Sequence, residues 1–197
     1  MARAPRRAAA RRAPPRAAAR RPGERKRDAT RRLLLARALD LFQRRGVEAT
    51  TMRDIARAAG LSLGAAYYHF PSKEALIFAY YEDNQAEGER TAAQATGTVR
   101  QQLGAIFHGK LESIRPQRAM LVSIIPQLVD PGDPLSAFSA RTREVRARSV
   151  ALIERALAGA ALPPATAPVV AGTLWLLQLA CMLVFVHDDT PDQARTH

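Results

Sequence analysis

The chain has 197 residues, 47% of them hydrophobic, and a formal charge of +12 from 30 basic and 18 acidic side chains. That is enough apolar material for one domain or two small ones, and it excludes a chain disordered throughout. The lone cysteine, Cys181, excludes an internal disulfide framework and a multi-cysteine zinc site, and fits a reducing compartment.

The charge is concentrated at one end. Residues 1–27 hold eleven of the basic side chains and one acid, Glu24, whereas the rest of the chain holds 19 basic and 17 acidic residues. Ala, Arg and Pro alternate in 1–27 with no apolar period. A disordered basic arm is therefore expected, able to bind phosphates without reading sequence. It has no apolar stretch of the kind a secretory signal needs. Its four prolines and lack of serine oppose the amphipathic helix of a transit peptide. A cytoplasmic protein is expected.

From Asp28 the pattern turns helical. Leu34, Ala38, Leu41 and Phe42 share one face, and Gly46 is placed to end that helix. Thr51, with Asp54 three residues on, reads as a capping box. Met52, Ile55, Ala56 and Ala59 then form a short apolar face that stops at Gly60. Ser62 is placed to cap a third helix over Leu63–Phe70, and Pro71-Ser72 precedes a fourth that starts at Lys73. A short helix, a Gly-containing turn and a second short helix make a helix-turn-helix, whose second helix enters the DNA major groove. Lys73 opposes the dipole of its own helix by about 0.3–1 kcal/mol. A phosphate at that place would reverse the balance. The expected division is an arm 1–27, a DNA-binding unit 28–73 and a helical unit 74–197, to which the resemblance described below assigns a regulatory role.

The fourth helix is expected to reach about Ala92. Val99, Leu103, Ile106, Phe107, Lys110, Leu111 and Ile114 then form a helical stripe that Pro116 closes. Met120–Val129 is apolar, with Pro126 expected to kink or end it. Asp133 and Pro134 read as the cap and first residue of a long helix to about Ala158. Arg141, Arg143, Arg146 and Arg148 would lie on its solvated or salt-bridged face. The stretch Val169–Val186 is apolar nearly all round, but its strongest run is short for a membrane span of about 20 residues. It is expected to be buried on several sides, for which a dimer interface is one solution.

No enzyme is expected. The histidines at 69, 108, 187 and 197 lie in no metal-binding motif, and neither a nucleophile elbow nor a phosphate-binding glycine loop is present. No catalytic residue, metal or cofactor is called for, and His187-Asp188-Asp189 reads as helix-end capping.

Thr30-Arg31-Arg32, Ala38-Leu39-Asp40-Leu41-Phe42, Gly46, Ala49-Thr50-Thr51-Met52-Arg53-Asp54-Ile55-Ala56, Ala59-Gly60-Leu61-Ser62, Gly64 and Tyr67-Tyr68-His69-Phe70-Pro71-Ser72-Lys73-Glu74-Ala75-Leu76 follow one another in an informative order and spacing. Together they closely resemble the DNA-binding domain of TetR-type transcriptional regulators, over about a quarter of the chain. The resemblance implies an all-α fold: a three-helix head, then a helical body for ligand binding and dimerisation. Leu63–Phe70 would be the recognition helix. Leu63, Gly64, Ala65, Tyr68 and His69 would meet the groove, with Ala66 and Phe70 turned inward. Tyr67 and Tyr68 would contact phosphate and thymine methyl groups. Thr50, Thr51 and Lys73 would bind phosphate.

Leu63 and Ala65 depart from the family, which often has Lys and Thr there. Specificity would therefore lean on methyl contacts, His69 and DNA shape. The resemblance also implies pairing through the last two helices. Only six residues follow Pro191, so one helix of that pair is expected to be missing. A small-molecule pocket would be lined by Phe107, Leu111, Ile124, Trp175 and Gln178, with His108 and Gln127 as polar contacts and an apolar or amphipathic effector. The expected function is a ligand-responsive regulator, a repressor binding a palindromic operator as a homodimer, with no membrane partner. The alternative is a nucleoid-type protein that binds DNA non-specifically through the arm.

Overall fold

The structure is a computed structural model, and it describes residues 22–191. The elements in chain order are α1 (Pro22–Arg45), α2 (Met52–Ala58), α3 (Leu63–His69), α4 (Lys73–Gln94), α5 (Val99–Ile114), α6 (Arg118–Val129), α7 (Arg143–Leu157) and α8 (Ala167–His187), with one turn of 3₁₀ helix at Arg115–Gln117. The described residues contain no strand. The expected arm lies outside the described residues up to position 21. Its last six residues are helical, which moves the start of the first helix back from Asp28. Pro22 at the first helical position needs no N–H partner, and Glu24 in the first turn complements the dipole.

The head forms as its pattern requires. Leu34, Ala38 and Phe42 of α1 are buried, and Gly46 ends the helix in the left-handed region at φ 79°. The Thr51 hydroxyl accepts from the Asp54 N–H at 3.2 Å while the Asp54 carboxylate accepts from the Thr51 N–H at 3.1 Å. This closes the capping box of α2. Thr51→Ala is expected to cost about 1 kcal/mol of stability, read by urea unfolding. Gly60, at φ 68°, turns the chain into Ser62, whose Oγ accepts from the Ala65 N–H and starts α3. Ala66 and Phe70 face inward.

Two expectations for the body change. Pro126 does not end α6, which runs three residues further although Pro126 has no N–H for the Val122 carbonyl. Residues 134–142 are turns, and the helix expected from Pro134 starts only at Arg143. Side-chain oxygens take the backbone partners a helix would use. Asp133 Oδ1 accepts from the Leu135 N–H, Thr142 Oγ1 donates to the Ser136 carbonyl and Ser139 Oγ donates to the Pro134 carbonyl. Of the expected arginine face, Arg148 pairs with Glu82 and Glu89, Arg141 lies over the Phe78 ring, and Arg146 donates to the Ala137 carbonyl.

One apolar core joins the head to α4, α5, α6 and the C-terminal end of α8, through residues such as Phe42, Ile55, Phe70, Leu76, Met120, Ile124 and Phe185. Gln43 of α1 accepts a hydrogen bond from the Met120 N–H in the first turn of α6, at 3.1 Å. A second core lies between α5, α7 and α8, around Ile106, Ile153 and Trp175.

Within the single chain the apolar helix α8 is covered along one side. Ala171, Trp175, Gln178 and Phe185 are covered, whereas Val169, Thr173, Leu176, Leu177, Ala180 and Val184 form an exposed stripe. By length and composition α8 could cross a membrane. In the fold it packs along α7 and against α6. Its C-terminal end is tied by Arg118, which donates to the Val186 and Asp188 carbonyls and pairs with Asp189.

Candidate nucleic-acid interface and body cavity

The outer face of α3 stands free of the head. Tyr67 is 48% and Tyr68 68% exposed, Gly64 is open, and His69 lies edge-on to the Tyr68 ring at 5.2 Å between centroids. Basic residues of α1 flank this face. The Arg27 guanidinium sits 5.4 Å from the Tyr68 ring centre and that of Arg31 4.4 Å from the Phe70 ring centre. Arg53 and Arg57 on α2 are exposed. A shallow hollow beside α3 is lined by Thr50, Thr51, Tyr67 and Lys73. The Lys73 ammonium donates to the Val47 carbonyl at 2.7 Å and the Glu48 carbonyl at 3.4 Å, leaving one of its three protons. An exposed aromatic helix beside arginine side chains is suited to phosphate, sugar and base-edge contact in a groove.

The body holds a partly open cleft of about 110 Å³ between α4, α5, α6, α7 and α8, lined by Tyr80, Asn84, Lys110, Leu128, Arg146, Ser149, Trp175 and Gln178 among others. Leu121, Leu128, Leu179 and Met182 also wall an adjoining, almost wholly apolar recess between α6 and α8. Lys110 donates to Asn84 Oδ1, Asn84 Nδ2 donates to Ser113 Oγ at 2.9 Å, and Ser113 Oγ donates back to the Lys110 carbonyl at 2.7 Å. Burial pushes the Lys110 ammonium down to about 8, and pushes the Tyr80 hydroxyl well above the usual phenol range. The folded protein thus binds the Lys110 proton less tightly than the unfolded chain does. The charged form opposes folding below about pH 8, and that penalty lifts as pH rises toward 10.5.

Residues 34–80 match the family model described as "Bacterial regulatory proteins, tetR family". Over these residues the chain is similar to the DNA-binding head of the TetR family. The repressor KstR2 of Mycobacterium tuberculosis is 33% identical over 100 residues, a stretch covering 45% of this chain and 46% of that protein. KstR2 of Rhodococcus jostii is 54% identical over 44 residues, 22% of each chain. The chain therefore spans less than half the length of these curated relatives. Its fold extends the likeness further. A TetR regulator of Nitrosomonas europaea superposes with a TM-score of 0.69 at 19% identity, over 86% of this chain and 92% of that one. Thermus thermophilus FadR, a TetR-family repressor solved with lauroyl-CoA, gives 0.59 at 23% identity over 84% and 88%.

The TetR-like head places the expected DNA residues unevenly. Tyr67, Tyr68, Gly64 and His69 share the outer side of α3, with Ala65 half-buried among them. Leu63 is half-buried and packs on the head core rather than facing outward. Thr50 is 1% exposed and donates its hydroxyl proton to the Gly46 carbonyl at 2.8 Å, so it has none to offer a phosphate. Thr51 is exposed, but its hydroxyl donates to Asp54 Oδ2 at 2.6 Å. This bond holds the Asp54 carboxyl below its usual range, so an anion already occupies that end of α2. Sequence patterning missed Arg27 and Arg31, because they fall at and beside the expected boundary of the arm.

In the cavity, Trp175 and Gln178 line the wall as expected. The other expected ligand residues do not. Leu111 and Ile124 are buried in the first core, and Phe107 packs on the second. His108 is exposed on the other side of its helix, one residue after Phe107. Gln127 is half-buried with its Oε1 enclosed, away from the cleft. The missed residues are Lys110, Asn84, Tyr80 and Ser149. Lys110 was legible as the one charge in the apolar stripe of α5.

Proposed function

We propose that this chain is a sequence-specific, DNA-binding transcriptional regulator, a repressor released from its operator by a small molecule bound in the body. The supporting observation is α3: a capped helix on a trihelical support, with two exposed tyrosines and flanking arginines aimed at one surface. Tyr67, Tyr68, Gly64, Ala65 and His69 carry the base and backbone contacts, with Lys73 bracing the loop beside them. Leu63, Thr50 and Thr51 support the helices that carry these contacts. The head takes in α1 from Pro22 and runs to residue 73, and residues 74–197 form the regulatory body. The protein acts in the cytoplasm, where the chromosome is.

The active form is a homodimer. The exposed stripe Val169, Thr173, Leu176, Leu177, Ala180 and Val184 repeats at helical spacing on α8, and α7 packs beside it. These two helices supply the pair that the sequence reading expected to be incomplete. An isologous contact through them would bury the stripe and set two recognition helices about one DNA turn, or a multiple of it, apart.

Fluorescence anisotropy on the DNA upstream of the protein's own gene tests the reading. Tyr68→Ala is expected to weaken binding by about tenfold or more, while unfolding free energy stays within about 0.5 kcal/mol of wild type. If no fragment is preferred over bulk competitor and removal of residues 1–21 abolishes binding, the protein is a non-specific DNA binder instead.

A further inference from the structure

We propose that the cleft takes an amphipathic organic carboxylate, its anionic head on the Lys110 ammonium and its hydrocarbon body in the apolar recess between α6 and α8. The inference rests on the reading of the body as a ligand chamber and names the ligand's chemistry.

Lys110 comes from an otherwise apolar stripe of α5 and lines the cleft. Among the described residues its hydrogen-bond acceptor is the neutral Asn84 Oδ1, and it makes no ion pair. Among the described residues no Asp or Glu lines the cleft. Of the acids of α4 around Asn84, Asp83 and Glu87 are exposed, with Glu87 paired to Arg90, and Glu82 and Glu89 are held by Arg148. A buried ammonium with only an amide for a partner is disfavoured, and a carboxylate beside it removes the penalty. Tyr80 gives a second, independent sign. It lies one helical turn before Asn84, so it shares that face of α4. It is 6% exposed, lines the cleft, and its buried hydroxyl has no hydrogen-bond partner among the described residues. Lys110 Nζ and Tyr80 Oη are two donors for the two oxygens of a carboxylate.

Arg146, the other cation in the wall, directs one guanidinium nitrogen at the Ala137 and Ser139 carbonyls, neutral partners that hold it to the turns while its charge remains. Both cations favour an anionic head group, and Lys110 is the one without a backbone anchor among the described residues. The tail is set by the adjoining recess, where Leu121, Ile125, Leu176, Leu179, Met182 and Leu183 offer no charged group. The recess adjoins the cleft across Leu121, Leu128, Ala137, Leu179 and Met182, so the pair is polar at the α4–α5 side and apolar at the α6–α8 side.

Calorimetric titration of the full chain with decanoate and with decanol at pH 7 tests this. Trp175, the chain's one tryptophan and a wall residue, gives a parallel fluorescence reading. Decanoate is expected to bind about ten to a hundred times more tightly than decanol, as a charge-assisted hydrogen bond allows. Lys110→Met should bring decanoate down to the decanol value and leave decanol within about twofold. Lys110→Arg, which keeps the charge, should retain a preference for decanoate, and thermal melts verify that both variants fold. Equal binding of the two probes, an unchanged preference in Lys110→Met, or no binding of either would overturn the proposal. Operator release is read separately: decanoate that binds through Lys110 yet leaves DNA bound upholds the anchor and refutes the regulatory reading.

Discussion

Glutamate at both Leu176 and Leu177 is expected to convert the proposed dimer to monomers, read by light scattering after size exclusion. These side chains are 50% and 53% exposed, in the middle of the uncovered stripe of α8. In a monomer the new carboxylates stay in water and cost little. In an isologous interface four of them meet across the two-fold axis and lose their solvation, which is unfavourable for each charge. Operator affinity should fall by about a hundredfold or more, because two linked heads gain from binding as one unit and separate heads do not. The melt of the monomer should remain, whereas decanoate binding should weaken, because Leu176 also lines the apolar recess. A variant that stays dimeric would place the interface elsewhere.

The second large effect is expected from Phe70→Ala. Phe70 is 1% exposed, ends α3, and packs in the core that carries α1 and α4. The Arg31 guanidinium lies on its ring. Removing the ring leaves a cavity beneath the recognition helix and costs about 3–5 kcal/mol, measured by denaturant unfolding. DNA binding should fail along with the fold of the head. Tyr68→Ala, two residues earlier, should reduce DNA binding without that loss. The contrast separates the face of α3 that holds it in place from the face that is available to DNA.

The head was legible because its signals are local. Thr51 with Asp54, Ser62 before α3, and glycines at 46 and 60 each act within a few residues, and the apolar periods of α1 and α2 agree with them. The turns at 134–142 were not, although Asp133-Pro134 is a sound helix start. The serines and Thr142 compete for the backbone, and that competition depends on where the folded chain puts them. The cavity was the least legible part. Phe107, Leu111 and Ile124 have the chemistry of a ligand wall and of a core alike, and only packing assigns them to the core. Thr50 illustrates the same limit in the head. A hydroxyl next to a helix start looks available, but its partner is the Gly46 carbonyl four residues back.

The bond from the Met120 N–H to Gln43 Oε1 places α6 in two roles at once. Its first turn is anchored to the helix that carries the basic edge of the head, and further along Leu121, Ile125 and Leu128 form walls of the cleft and its recess. α6 is therefore at once a wall of that space and a direct contact of the head. An occupant that shifts α6 outward must either carry α1 along as a lever or break its fastening at Gln43.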